Sequence, residues 1–136
     1  MKKVMNIFLL MIPKKEVAIL DETMNARQAL EKMRTYHYTA IPVISKEGLY
    51  LGTITEGDLL YGLLSLDKPE LEQLAKHNVT ELIRKDFTPA VNVDADMDVL
   101  LCHIMNANYV PIIDDRGVLM GIITRRSVIS HLLEEE

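Results

Sequence analysis

A single cysteine, Cys102, is present in this chain of 136 residues, which excludes an intrachain disulfide. Tryptophan is absent and aromatic residues make up only 5% of the chain, so we expect a core of aliphatic side chains. Because Cys102 lies in the apolar stretch from Val99 to Met105, the pattern predicts a buried, unreactive thiol.

An excess of positive charge is also missing. The net charge of −5 at pH 7 argues against nonspecific binding of nucleic acid, which needs a basic field over the phosphates. It leaves room for a small anion held by a local pair of arginines.

The apolar stretch from Val4 to Ile12 is too short to span a bilayer, is interrupted by Asn6, and lacks a small-residue cleavage site after it. We therefore expect a cytoplasmic protein without membrane contact, beginning with a short helix.

What the chain does contain is one block of residues used twice. Residues 41–44, a turn glycine and a segment ending at Thr55 recur as residues 110–113, a turn glycine and a segment ending at Thr124, with identical spacing. Such a repeat indicates one supersecondary unit present in two copies, each needing the other to cover an apolar face.

Each copy predicts the order strand, helix, strand, strand, helix from its periodicity and turn residues. The fold class is therefore α/β (α+β), with two pseudo-symmetric repeats packed in one module over residues 1–136. Repeat one is expected at about 7–66, a helical linker at 67–78 and repeat two at 79–134. The predicted strands are 17–20, 40–44, 49–54, 90–93, 109–113 and 118–123, and the predicted helices follow 21–23, begin at Thr55, span 99–105 and run from Thr124 to about Leu133.

The helix starts at Thr55 and Thr124 are the positions at which the sequence suggests a binding site. There a hydroxyl and free backbone N–H groups point outward together, which suits a phosphate. Asp58 lies one turn further, where a carboxylate can accept both hydroxyls of a ribose, and Gly57 leaves the backbone open to a ligand. A structural role, with Thr55 as N-cap and Asp58 as a favourable charge in the first turn, fits the same residues.

The second copy differs at these positions. Ser127 replaces the carboxylate, and Arg125 and Arg126 stand at a helix N-terminus, where cations are unfavourable unless an anion is bound. Two cations beside free N–H groups predict a phosphate site. The alternative is a solvated basic patch paired to nearby carboxylates.

These segments together resemble the CBS motif: apolar-Pro-apolar, a polar turn with glycine, then apolar-Gly-apolar-apolar-Thr and a ribose position three residues on. Two in tandem resemble a CBS pair, or Bateman module, and the resemblance covers about residues 7 to 133. It implies a regulatory module that binds AMP, ATP or cyclic di-AMP in clefts between the repeats, forms a homodimer and signals to a partner protein. No further cofactor is implied.

The resemblance also implies which residues surround the ligand. For one cleft, cleft A, they are Val17, Ala18, Tyr38, Thr39, Ala40, Pro42, Thr124, Arg125, Arg126 and Ser127. For the other, cleft B, they are Thr55, Asp58, Thr88, Ala90, Tyr109, Val110 and Pro111. Residues 37–42 and 124–126 resemble small stand-alone bacterial CBS-pair proteins, some of which bind cyclic di-AMP, whose two phosphates suit an arginine pair.

A second interpretation is an assembly module with vestigial clefts. It depends on two leucine-rich helix faces that exceed what a small domain need bury: Leu59, Leu60, Leu63 and Leu64, and Val128, Ile129, Leu132 and Leu133. An enzyme is not predicted, because no nucleophile lies beside a base. No metal site is predicted either, because the four histidines lack ligand spacing.

Overall fold

The computed structural model describes residues 6–84 and 87–134, which divide into two units. One unit consists of Ala18–Phe87, and the other combines residues 6–17 with residues 88–134. The segment ahead of the first repeat thus belongs to the unit that holds the second repeat. The elements are α1 (Ile7–Leu10), β1 (Ile12–Pro13), β2 (Leu20–Asp21), α2 (Ala26–Tyr36), β3 (Ala40–Ile44), β4 (Tyr50–Thr55), α3 (Glu56–Leu64), α4 (Leu71–Leu74), β5 (Val91–Asn92), α5 (Met97–Ile104), β6 (Tyr109–Ile113), β7 (Leu119–Thr124) and α6 (Arg125–Leu133).

The unit 18–87 is built on a three-stranded sheet in the order β2-β3-β4. Strand β2 runs parallel to β3, and β3 and β4 form an antiparallel hairpin. The side chains of Leu20, Ile41 and Ile54 are fully buried against helices α2 and α3. Pro42 is tolerated in the central strand because β2 pairs only with Val43 and Ile44, so β3 has no neighbour on that side at the proline.

The other unit carries a four-stranded sheet in the order β1-β7-β6-β5. Its parallel pair β5-β6 and its hairpin β6-β7 repeat the plan of the first unit, and β1 adds a strand antiparallel to β7. Ile7 and Leu10 of helix α1 are buried in the same core as Leu100 and Ile123. The expected short helix is confirmed as α1, and its apolar residues Ile7 and Leu10 are those that the core buries.

The expected fold class is confirmed, with local corrections, among them a shorter β5 (Val91–Asn92) and an earlier α5 (Met97–Ile104). Strand β2 begins at Leu20 rather than at Val17, because only Leu20 and Asp21 align with β3. Helix α2 begins after Asn25, whose side chain forms a capping box with Gln28. The predicted helix start at residues 21–23 is instead a turn.

Asp21 explains the turn that replaces the expected helix start. Its carboxylate accepts hydrogen bonds from the hydroxyl and the backbone N–H of Thr23. The hydroxyl bond, followed by the N–H bond, lowers the pKa of Asp21 from its usual value. This local bonding competes with a helical start at these residues.

A further correction concerns Cys102, which is exposed on helix α5. The prediction of a buried thiol was wrong because the face of α5 that packs into the core carries Leu100 and Ile104 instead. In the part of the chain that the structure describes, no helix has the length and apolar character needed to cross a bilayer.

Gly121 of β7 lies close to the backbone of β1. A Cβ atom at this position would lie 2.2 Å from the carbonyl oxygen of Ile12. We expect Gly121→Ala to lower the free energy of unfolding by about 1–3 kcal/mol, because the β1-β7 backbone would have to separate. Urea denaturation monitored by circular dichroism measures this change.

Gly57→Ala is the matched control. In helix α3 a Cβ at Gly57 would meet no atom closer than 3.7 Å, and alanine favours helix more than glycine does. We expect it to raise the free energy of unfolding by about 0.5 kcal/mol. Equal stability of the two variants would contradict the close contact between β1 and β7.

Candidate functional site

The junction between hairpin and helix is the candidate site in the unit 18–87. Antiparallel pairing sets Ala40 opposite Thr55, and the carbonyl of Thr39 accepts a hydrogen bond from the N–H of Glu56. The chain then turns into helix α3 with Thr55 as N-cap, its hydroxyl accepting from the N–H of Asp58 at 3.1 Å. The predicted N-cap is therefore present, and the hairpin register fixes its position.

Asp58 is buried, and both oxygens of its carboxylate have partners within the unit. Its Oδ2 accepts hydrogen bonds from the backbone N–H and from the hydroxyl of Thr55, each at 2.8 Å. Its Oδ1 lies 2.7 Å from Nε of Arg84. The guanidinium of Arg84 also stacks on the ring of Phe87, 3.6 Å from its centroid. The carboxylate predicted to bind a ribose thus binds the protein itself.

The residues predicted to flank a base in this unit differ in accessibility. Tyr38 and Thr39 are exposed, and the ring of Tyr38 stacks on Tyr36 with 5.9 Å between centroids. His37 ends α2 in a left-handed conformation (φ 59°), which turns the chain into β3. Pro42 is buried, whereas Ala18 and Ala40 are partly buried.

The second unit repeats the junction with different side chains. Tyr109 pairs with Thr124, and the carbonyl of Asn108 accepts a hydrogen bond from the N–H of Arg125. Thr124 caps helix α6 by accepting from the N–H of Ser127 at 3.0 Å. The two hydroxyls of Thr124 and Ser127 lie 2.7 Å apart, so the side chain of Ser127 retains the hydroxyl contact that the Asp58 carboxylate makes in the other unit.

The two arginines at this helix start have different environments. Arg125 donates from Nε to the carbonyl of Ile104 at 3.1 Å and from Nη2 to that of Met105 at 3.4 Å, which satisfies carbonyls at the end of α5. Arg126 is exposed, and its side chain has no hydrogen-bond or ion-pair partner among residues 6–84 and 87–134. Arg125 is thus held by the fold, whereas Arg126 is available to a ligand.

An open pocket lies at the start of helix α6. Its volume is about 400 Å³, which accommodates part of a nucleotide. It is lined by Asn108, Thr124, Arg125, Arg126, Ile129 and Ser130. A helix N-terminus, an N-cap hydroxyl and a guanidinium without a partner among the described residues together suit a phosphate group.

The remaining predicted residues of this unit lie on or near the same sheet. Val110 and Pro111 are buried within β6, so a ligand would meet their backbone rather than their side chains. Val17, Thr88 and Ala90 are partly buried in the segments that flank the sheet. Each unit holds residues from both predicted clefts, since Thr39 and Thr55 share one unit and Tyr109 and Thr124 share the other.

The sequence did not identify every residue of these sites. Asn108 lines the pocket from the loop 105–108 before β6, and Ser130 lines it from helix α6, but no motif in the sequence marked either residue. Arg84 pairs with Asp58 across 26 positions, and such a distant ion pair leaves no local pattern. Within the described ranges 6–84 and 87–134, no group of three or more His, Cys, Asp or Glu side chains is arranged to hold a metal ion.

A second concave surface lies between helices α2 and α3. This groove, of about 480 Å³, is lined mainly by Leu30, Met33, Leu59, Leu60, Leu63 and Leu74, with Arg34, His37, Tyr38 and Glu56 as its more polar members. Beside it Tyr61 and Leu64 are exposed. Of the leucine face on α3, Leu59 belongs to the core, whereas Leu60 and Leu64 face outward.

Comparison with known proteins gives the family. The model of the CBS domain matches residues 10–65 and 79–134. Among curated proteins, cyclic di-AMP receptor B of Bacillus subtilis is 28% identical over 122 residues, which cover 90% of this chain and 82% of that protein.

Solved structures give the same result. A hypothetical conserved protein of Geobacillus kaustophilus is similar over the whole of both chains, with 26% identity and a TM-score of 0.88. CbpB in complex with c-di-AMP is similar over 96% of this chain and 85% of its own, with 25% identity and a TM-score of 0.84.

The different environments of the two arginines predict different effects on stability. We expect Arg125→Ala to lower the free energy of unfolding by about 1–2 kcal/mol, because two carbonyls at the end of α5 lose a charged donor. Arg126→Ala should change it by less than about 0.5 kcal/mol, since the side chain is exposed. Urea denaturation of both variants measures the difference, and equal losses would contradict the assignment.

Proposed function

This chain belongs to the CBS domain family and carries a tandem pair of the domain, and we propose that it is a regulatory module that binds an adenine nucleotide. Cyclic di-AMP is our first candidate ligand, ahead of AMP and ATP. The name of the Bacillus subtilis relative and the complex of CbpB with c-di-AMP support that order.

Arg126 is the observation that carries the proposal. A cation in the first turn of a helix opposes the helix dipole, and no described side chain compensates it. A phosphate would compensate it and would also accept hydrogen bonds from the helix N-terminus. We propose that Arg126 and Thr124 bind a phosphate of the nucleotide, and that Arg125 keeps the helix start in place.

The base is proposed to contact residues that the resemblance assigns to cleft A. Tyr38 and Thr39 are exposed and therefore accessible to a ligand, whereas Val17, Ala18 and Ala40 are partly buried. Backbone amides of such strands recognise the polar edge of an adenine while apolar side chains cover its faces. Side chains and the helix N-terminus would thus bind the phosphate, and the backbone of the strands would largely recognise the base.

Regulation follows if the ligand changes the affinity for a partner protein. A nucleotide achieves this only through different affinities for two states of the module. We propose this binding role in place of catalysis, because the predicted site offers cations, hydroxyls and N–H groups and no nucleophile beside a base.

Isothermal titration with cyclic di-AMP, AMP and ATP tests the proposal. We expect at least one of them to bind, and Arg126→Ala to weaken that binding at least tenfold, because a charged contact to a phosphate is lost. Arg116→Ala is the matched control, since it removes the same charge at the opposite end of β7, where Arg116 bonds to Asp114. It should bind as the original chain does.

Two results would contradict the proposal. One is the absence of heat and of any rise in melting temperature with all three nucleotides. The other is an equal loss of affinity in Arg116→Ala and Arg126→Ala, which would indicate a general effect of charge.

The assembly interpretation is supported by a different observation. Leu60 and Leu64 on α3 are 53% and 62% exposed, and Ile129, Leu132 and Leu133 on α6 are also exposed. Exposed apolar side chains clustered on a helix mark an interaction surface. We propose that these residues contribute to a homodimer, and that the dimer forms with or without nucleotide.

Leu60→Lys combined with Leu64→Lys tests the dimer. We expect light scattering after gel filtration to give twice the 15.5 kDa chain mass for the original protein and the single mass for the variant, because charges would be buried at the interface. Leu51→Lys is the control, since Leu51 is exposed at the hairpin β3-β4 and away from this helix face. A dimer without nucleotide binding would favour the pure assembly module.

A further inference from the structure

The carboxylate of Asp58 is occupied by the chain itself. Its side chain is 6% exposed, and its Oδ1 receives a charged donor, Nε of Arg84, at 2.7 Å. The guanidinium is in turn held by the ring of Phe87. Arg84 therefore has two contacts that keep it over the carboxylate, although half of its own side chain remains exposed.

The remaining capacity of this carboxylate is too small for a ribose. An ionised carboxylate offers about four acceptor positions. Thr55 takes two of them on Oδ2, through its N–H and its hydroxyl, and Arg84 takes a third on Oδ1. A ribose binds a carboxylate through two hydroxyls, so it would have to displace one of these three donors. The donor on Oδ1 is charged and therefore binds more strongly than a neutral hydroxyl.

The corresponding position in the other unit has the opposite arrangement. Ser127 carries no charge and bonds to the hydroxyl of Thr124, while Arg126 next to it has no partner among the described residues. One helix start therefore has a carboxylate neutralised by a cation, and the other has a cation without a carboxylate. The two repeats differ in charge pairing as well as in sequence.

We propose that Arg84 is a specificity-determining residue that closes the Asp58 position, so that the chain binds one nucleotide, at the helix start that carries Arg126. This inference rests on the proposed function. Arg84 competes with a ribose for the carboxylate of Asp58. Removing the Arg84 side chain therefore opens a second nucleotide position that depends on Asp58.

Titration with AMP measures the number of sites per chain. The original protein should bind one AMP per chain, and Arg84→Ala should bind two. With 2′-deoxy-AMP the second site should not fill, because the ligand lacks one of the hydroxyls that would bond to Asp58. Arg84→Ala combined with Asp58→Asn should return to one. Arg84→Gln, which removes the charge and keeps a similar size, guards against a folding defect in the alanine variant, and circular dichroism checks that each variant is folded.

The outcomes separate this inference from the proposed function. One AMP per chain in both folded Arg84 variants would overturn the inference and leave the Arg126 site intact. Two AMP per chain in the original protein, falling to one in Asp58→Asn alone, would also overturn it. An Asp58-dependent site in Arg84→Ala would support the inference even if the original protein bound no AMP. If the original protein also bound neither ATP nor cyclic di-AMP, the proposed function would be refuted.

Discussion

The antiparallel pairing within each hairpin is the constraint on which the rest of the structure depends. Both hairpins have five residue pairs at matching positions, and in both the register shifts before the fifth pair. The first pair joins the first residue of one strand to a threonine at the end of the other. Because that threonine is also the N-cap of the next helix, the hairpin decides where the free N–H groups point. A slip of one residue would turn the threonine to the opposite face.

This shared geometry makes the differences between the repeats informative. Asp58 and Ser127 occupy equivalent positions three residues after their N-caps, so they experience the same helix dipole and the same backbone N–H groups. Only the side chains differ. The helix dipole stabilises the negative charge of Asp58, and the cation of Arg84 pairs with that charge. At the other helix start the dipole destabilises the positive charge of Arg126. The charge of Asp58 is thus balanced by Arg84, whereas no side chain among the described residues balances Arg126.

The sequence predicted those parts of the structure that depend on local patterns. Alternating apolar residues and turn glycines located both hairpins, and the threonines located the helix starts that follow them. It misplaced β2, because an apolar run from Val17 does not reveal which two residues will meet a parallel neighbour. It missed the ion pair of Arg84 with Asp58, because the partners are brought together only by the tertiary fold. Long-range contacts of side chains are what a periodic pattern does not encode.

Arg125 and Arg126 are adjacent in the sequence but have different environments in the structure. In the sequence Arg125 and Arg126 are equal candidates for a phosphate, since both are charged and adjacent. Successive helical residues point about 100° apart, so the two side chains have to face different neighbours. Arg125 faces the end of α5, where carbonyls without partners need a donor, and it is held there. The end of helix α5 therefore determines that Arg126, and not Arg125, remains available to a ligand.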